Sequence, residues 1–112
     1  MHPIVRITPV CLLLALGSAS ATTAVFNDFS STTGLTLNGD AVQVGNVLRL
    51  VPATDTQSGS AFLTDAVTFG ATTGFQTHFK FHVDTDLGDP TDGFAFVLHS
   101  DSAGASALGA AG

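Results

Sequence analysis

Several residue types that often carry chemistry are missing or rare in this sequence. It has no glutamate, tryptophan or tyrosine, and its single cysteine is Cys11. One cysteine cannot form a disulfide within the chain, so a disulfide-stapled scaffold is excluded. Glycosidases use two carboxyl groups in paired roles, and this sequence has no glutamate and has its aspartates mainly in predicted turns. Serine hydrolases place their nucleophile in a Gly-x-Ser-x-Gly turn, which this sequence lacks. We therefore predict that the protein is not an enzyme.

Positive charge is also scarce. Lysine and arginine together number 3 against 9 acidic residues, which gives a formal net charge of −6. Nucleic acids and anionic membrane surfaces bind proteins through lysine and arginine, so neither is an expected partner. Carboxylates without compensating lysines suit a neutral ligand or calcium, which prefers oxygen donors. The alternative is that most of these aspartates serve as turn residues.

No hydrophobic run is long enough to span a bilayer. The longest, residues 10–16, falls well short of the roughly 20 residues that a transmembrane helix needs. Small residues follow it, and among them Ala19 and Ala21 have the spacing that signal peptidase reads. Residues 1–21 are therefore predicted to be a cleaved secretory signal peptide that contains Cys11, with an uncleaved anchor or a buried core helix as the alternative. The mature domain, residues 22–112, would be secreted, extracellular or at the cell surface, without membrane insertion.

Beyond residue 21, the hydrophobic pattern has the period of β-strands. In residues 75–83, apolar residues and threonine alternate with more polar ones, which predicts one buried face and one polar face. Residues 94–99 are largely apolar on both faces, as expected of a central strand. Shorter candidate strands, separated by turn signals, are residues 25–29, 35–37, 42–44, 47–51, 60–63 and 66–69. This pattern predicts an all-β fold, an antiparallel jelly-roll β-sandwich.

The end of the sequence has a different composition. Residues 100–112 are mostly serine, alanine and glycine and contain no further candidate strand. Such a segment is either a flexible linker or a loop that continues beyond the sequence, and we favour the loop. A domain of this size without a disulfide would also be marginally stable. The sandwich is therefore predicted to be incomplete in this chain.

The order of the sequence motifs resembles that of a known family. The motifs are FNDF (residues 26–29), LTLNGDA (35–41), LRL (48–50), GSAF (59–62), FQTHFKF (75–81) and DGFAFVL (92–98), followed by Leu108-Gly109 and Gly112. Together they resemble the amino-terminal part of a bacterial legume-type (L-type) lectin domain, a member of the concanavalin A-like lectin/glucanase superfamily. The resemblance implies a concanavalin A-like jelly roll that binds carbohydrate and does not catalyse a reaction.

The resemblance also implies two carbohydrate-binding residues. Asp92 matches the family's aspartate that accepts hydrogen bonds from sugar hydroxyls, a task that suits a carboxylate because charge-assisted hydrogen bonds are strong. Gly112 matches the glycine-rich loop whose backbone N–H donates to the same sugar, where a side chain would block close approach. The alternatives are a plain turn aspartate at residue 92 and a flexible tail at residue 112.

The sequence also bears on metal binding and on alternative functions. The resemblance implies calcium as a cofactor, with ligands outside this chain. The acidic residues Asp84, Asp86, Asp89 and Asp92 do not fit an EF-hand loop and are interpreted as a solvated turn. His78 and His82 lack a third zinc ligand. Alternative functions are a structural or adhesion domain of a larger exported protein and an accessory module of an exported hydrolase. The oligomeric state stays open.

Overall fold

The regular structure of the chain is mostly β-strand. The computed structural model describes residues 22–72, 74–83 and 93–109. The strands are β1 (Leu35–Gly39), β2 (Val42–Val44), β3 (Val47–Arg49) and β4 (Gly59–Leu63), and one 3-10 helix spans Gly104–Ser106. No helix within these ranges has the length and apolar character needed to cross a membrane.

Strands β1 and β4 form an antiparallel ladder that runs from Leu35 opposite Leu63 to Gly39 opposite Gly59. The Thr36 hydroxyl is hydrogen-bonded to that of Thr64 at 2.9 Å, beside the ladder. At Gly59 the backbone of β4 passes very close to the preceding loop. A Cβ atom added there would lie 2.9 Å from the Ala41 nitrogen and would clash with the Leu50 carbonyl. The absence of a side chain at Gly59 therefore permits this crossing of the backbone.

Strands β2 and β3 form a tight antiparallel hairpin, in which Val44 pairs with Val47. The two residues between the strands begin with Gly45, whose φ is 60°. Type II′ hairpin turns place glycine at this first central position because it requires a positive φ. The predicted strand at residues 42–44 and the turn after it are thus confirmed, and β3 ends two residues earlier than predicted.

Residues 25–29 do not form the predicted strand. The Asp28 carboxylate accepts hydrogen bonds from the Ser30 amide at 2.9 Å and from the Ser30 hydroxyl at 2.6 Å. Such local side-chain bonds compete with a β-ladder and bend the backbone. The bend is attached to the hairpin, because the Phe29 amide donates to the Asn46 carbonyl at 3.1 Å and Gln43 Nε2 donates to the Ser30 carbonyl at 2.6 Å.

Residues 75–83 and 94–99 also lie outside any strand, as do residues 66–69. The first two segments meet through an aromatic cluster, which consists of Phe75, Phe79, Phe81, Phe94 and Phe96. Ring centroids in this cluster are between 4.5 Å (Phe81 to Phe94) and 6.4 Å (Phe79 to Phe81) apart. Period-two alternation therefore predicted which side chains share a face, but it carries no information on whether a neighbouring backbone lies within hydrogen-bonding distance.

The aromatic cluster is open to solvent. The exposed fraction of its side chains ranges from 43% at Phe94 to 66% at Phe81. Among the described residues, no side chain is fully buried. The described part of the chain thus has apolar rings in mutual contact without the closed core that a complete β-sandwich places between its two sheets.

Candidate functional site

The turn after β1 is closed by Asp40. Its backbone amide donates to the Ser58 carbonyl at 2.8 Å, and its carboxylate accepts from the Ser58 amide at 3.0 Å. The Ala41 amide completes the turn by donating to the Asn38 carbonyl at 3.2 Å. These bonds fix the ends of β1 and β4 relative to each other at the point where Asn38 projects.

Asn38 connects the β1–β4 ladder to a distant segment of the chain. Its Nδ2 donates to the Ala105 carbonyl at 2.8 Å, to Ser60 Oγ at 3.0 Å and, more weakly, to the Ala107 carbonyl at 3.5 Å. Ser60, the ladder partner of Asn38, donates its hydroxyl to the same Ala107 carbonyl at 2.5 Å. We call this arrangement the Asn38–Ser60 clamp. It holds the 3-10 helix and Ala107 against the ladder.

The segment that the clamp holds is organised by Asp101. Its carboxylate accepts from the Ala103 amide at 2.8 Å, and its carbonyl accepts from the Gly104 amide at 3.0 Å. The Asp101 amide in turn donates to His99 Nδ1 at 3.1 Å, and the His99 and Phe62 rings pack at nearly a right angle with centroids 4.9 Å apart. Residues 99–107 are therefore joined to β4 at both ends of this short stretch.

Leu108 and Gly109 follow the clamp. A Cβ atom added at Gly39 would lie 3.1 Å from both δ-carbons of Leu108, so the leucine side chain packs directly over the end of β1. Gly109 has open space around it, because an added Cβ would meet nothing within 4 Å. Close packing over the end of β1 is thus seen at Leu108 and not at Gly109.

The two predicted carbohydrate-binding residues, Asp92 and Gly112, lie outside the described residues. So does the acidic stretch with Asp84, Asp86 and Asp89. Their described neighbours are Gly93 and Gly109. The assignments to Asp92 and Gly112 therefore stay predictions.

The described carboxylates do not fit a calcium site. Asp28, Asp40 and Asp101 each accept hydrogen bonds from neighbouring amides. Within residues 22–72, 74–83 and 93–109, no group of three histidine, cysteine, aspartate or glutamate side chains comes together. Calcium needs six to eight oxygen ligands, which the described carboxylates do not bring together.

Two shallow grooves lie near the start of the described chain. The first, of about 250 Å³, is lined by residues between Val25 and Thr33. The second, of about 280 Å³, is lined by residues 22–26 and 33–34 together with Leu63, Asp65 and Val67. In the first groove the Ser30 hydroxyl and then the Ser30 amide hold the pKa of Asp28 below its ordinary value. Both grooves are open, and neither includes the Asn38–Ser60 clamp.

Asn38 and Ser60 were not predicted as site residues. The signal for Asn38 was weak, because asparagine is depleted in strands but this one shares the polar face of β1 with Thr36, opposite Leu35 and Leu37. A half-buried polar side chain in a strand usually has a specific hydrogen-bond partner. The partners could not be named, because Ala105 is 67 residues away in sequence.

Comparison with known proteins connects this geometry to a family. The legume lectin domain model matches residues 21–111, which includes every strand and the clamped segment. Neither a curated protein nor a solved structure matches the chain. Legume lectin domains are concanavalin A-like β-sandwiches that typically bind carbohydrate and metal ions and are typically not catalytic. The chain belongs to the legume lectin domain family.

Proposed function

We propose that this protein is a secreted, non-catalytic lectin that binds carbohydrate through Asp92 and Gly112. Asp92 accepts hydrogen bonds from two sugar hydroxyls, and the backbone amide of Gly112 donates to the same sugar. An ionised carboxylate is suited to this role because it has acceptor sites only and binds hydroxyl donors strongly. The surrounding domain is an antiparallel jelly roll.

The observation that carries the proposal is the family match over residues 21–111, which includes Asp92 and ends one residue before Gly112. The geometry supports it in one respect. The segment that precedes Gly112 is held against the β1–β4 ladder at Ala105 and Ala107, so the glycine-rich stretch, residues 109–112, follows a fixed point in the chain. A binding residue on a loop is most effective when a rigid scaffold positions it.

Export, source and metal dependence belong to the same proposal. Residues 1–21 act as a cleaved signal peptide, and the mature chain works outside the cell or at the surface of a bacterium. Calcium supports the site through ligands other than the carboxylates described above. The net charge of −6 agrees with a neutral ligand such as a glycan and with a bound cation.

The exposed aromatic cluster favours a second candidate function. Rings that are 43% to 66% exposed are available for packing against another part of an assembly. In this alternative, the domain is a structural or adhesion module of a larger exported protein and binds no sugar. Glycan binding separates the two functions directly.

The test is a glycan array with the mature full-length protein, with and without calcium. The informative variant is Asp92→Asn, which keeps the size of the side chain and removes its charge. The matched control is Asp55→Asn, since Asp55 is an exposed loop aspartate of the same charge. We expect calcium-dependent binding that Asp92→Asn abolishes and Asp55→Asn preserves. A folded wild-type protein that binds no glycan would instead support the structural function.

A further inference from the structure

We propose that Asn38 and Ser60 are positioning residues of the sugar site. They hold the backbone of residues 105–107 against the β1–β4 ladder and thereby anchor the segment that precedes the glycine-rich residues 109–112 in the sequence. This inference rests on the proposed function, because it gives the clamp a purpose in sugar binding.

The first step is the convergence of two side chains on one segment. Asn38 and Ser60 are opposite each other in the ladder. Their donors reach the Ala105 carbonyl at 2.8 Å and the Ala107 carbonyl at 2.5 Å. Two donors on a shared rigid base fix both the position and the orientation of the peptide units between these carbonyls.

The second step is that the segment has few other attachments. The backbone bonds of the 3-10 helix are internal: Ser106 donates to Ala103 and Ala107 donates to Gly104. Among the described residues, the hydrogen bonds between residues 104–109 and the ladder come from Asn38 and Ser60. Leu108 adds an apolar contact over Gly39. Loss of the clamp would therefore release this segment without unpairing the ladder.

The third step is distance along the chain. Gly109 is two residues beyond Ala107, and an extended residue spans at most about 3.6 Å, so Gly109 stays within about 7 Å of a clamped carbonyl group. The position of Ala107 therefore limits the positions that Gly109 can take. Binding geometry that is loose by about 1 Å is enough to weaken a site substantially.

The main test is Asn38→Asp in the mature full-length protein. This variant keeps the shape of the side chain but places a carboxylate, which cannot donate, against two carbonyl oxygens. The matched control is Thr36→Val, because Thr36 lies on the same face of β1 and its hydroxyl bonds only to Thr64 across the ladder. Each variant removes a side-chain hydrogen bond of β1, but only Asn38→Asp releases the clamp.

Two quantities are measured, amide hydrogen exchange and affinity for the glycan identified on the array. With Asn38→Asp, we expect exchange at Ser106 and Ala107 to rise by about tenfold, since these amides are protected only while the segment stays closed. Glycan affinity should also fall about tenfold, which corresponds to about 1.4 kcal/mol. Exchange in the β1–β4 ladder should change less than about twofold, and Thr36→Val should leave Ser106, Ala107 and the affinity unchanged.

A second pair of variants provides rescue. Ser60→Ala removes the hydroxyl that donates to Ala107, and Ser60→Thr retains it. We expect the affinity to fall with alanine and to return with threonine. Unchanged exchange at Ala107 in Asn38→Asp would overturn the clamp itself. Raised exchange with unchanged glycan affinity would overturn its positioning role.

The failure of the proposed function would look different. A folded wild-type protein that binds no glycan would overturn both the lectin assignment and the positioning role. The exchange measurement on Asn38→Asp would still show whether the clamp restrains residues 105–107, because it needs no ligand.

Discussion

Replacement of Gly59 by alanine is expected to destabilise the protein strongly. The added Cβ would lie 2.9 Å from both the Ala41 nitrogen and the Leu50 carbonyl carbon, and closer still to the Leu50 oxygen. All three are backbone atoms, so no side-chain rotation can relieve the clash. The chain must separate β4 from the loop before it, which disturbs the Gly39–Gly59 pair at the end of the ladder.

The expected cost is about 3 kcal/mol, at the upper end of what overpacking usually costs, because the obstacle is rigid. For a domain of this size, that cost lowers the midpoint of thermal unfolding by about 12–24 °C. Circular dichroism of the mature full-length protein, recorded during heating and during urea titration, measures both quantities. An unchanged urea slope would show that Gly59→Ala altered stability and not the extent of unfolding.

Gly74→Ala is the matched control. A Cβ at Gly74 would meet nothing within 4 Å. This substitution should change the free energy of unfolding by less than about 0.5 kcal/mol. If Gly59→Ala were as stable as Gly74→Ala, the close passage of β4 past Leu50 would be refuted, and with it the explanation of why glycine is needed there.

Three further predictions concern the bend and the aromatic cluster. Ser30 lowers the pKa of Asp28, so above the ordinary aspartate pKa the wild type should be more stable than Asp28→Asn. This difference in the free energy of unfolding should vanish as the pH falls through the lowered pKa of Asp28. A stability difference that persists in acid would contradict the prediction. Gln43→Ala should cost about 1 kcal/mol in urea titrations by removing the bond to the Ser30 carbonyl. Phe96→Ala should cost about 2 kcal/mol, below the roughly 3–5 kcal/mol of a buried phenylalanine, because Phe96 is 52% exposed. A larger loss in the same titrations would mean that the ring is more buried than this exposed fraction indicates.

The elements that could be predicted from the sequence are those specified by local chemistry. The β2–β3 hairpin follows from Gly45, whose positive φ a two-residue turn requires, and β1 and β4 appear within two residues of their predicted bounds. The predicted strand at residues 25–29 was wrong because the Asp28 carboxylate accepts a hydrogen bond from the Ser30 amide and the chain bends there. Residues 75–83 have a clear alternation but no ladder, since alternation describes one strand and not its partner.

The candidate site also has residues that the sequence indicates and residues that it does not. Asp92 and Gly112 come from the resemblance to a family and stay predictions. The Asn38–Ser60 clamp could not be predicted, because the side chains of β1 and β4 meet carbonyls 67 and 47 residues away. A carbonyl group is present in every residue, so sequence gives no indication of which one a donor will reach. Only the folded path of residues 101–109 selects Ala105 and Ala107.

The openness of the aromatic cluster has a colloidal consequence. Five phenylalanine rings in contact with water make two copies of the chain attract each other at short range, while the formal net charge of −6 makes them repel at longer range. The Debye length shrinks from about 30 Å at 0.01 M ionic strength to about 3 Å at 1 M. Repulsion therefore weakens with added salt while the attraction between rings persists, so the chain should dissolve best in dilute buffer and self-associate as the ionic strength rises.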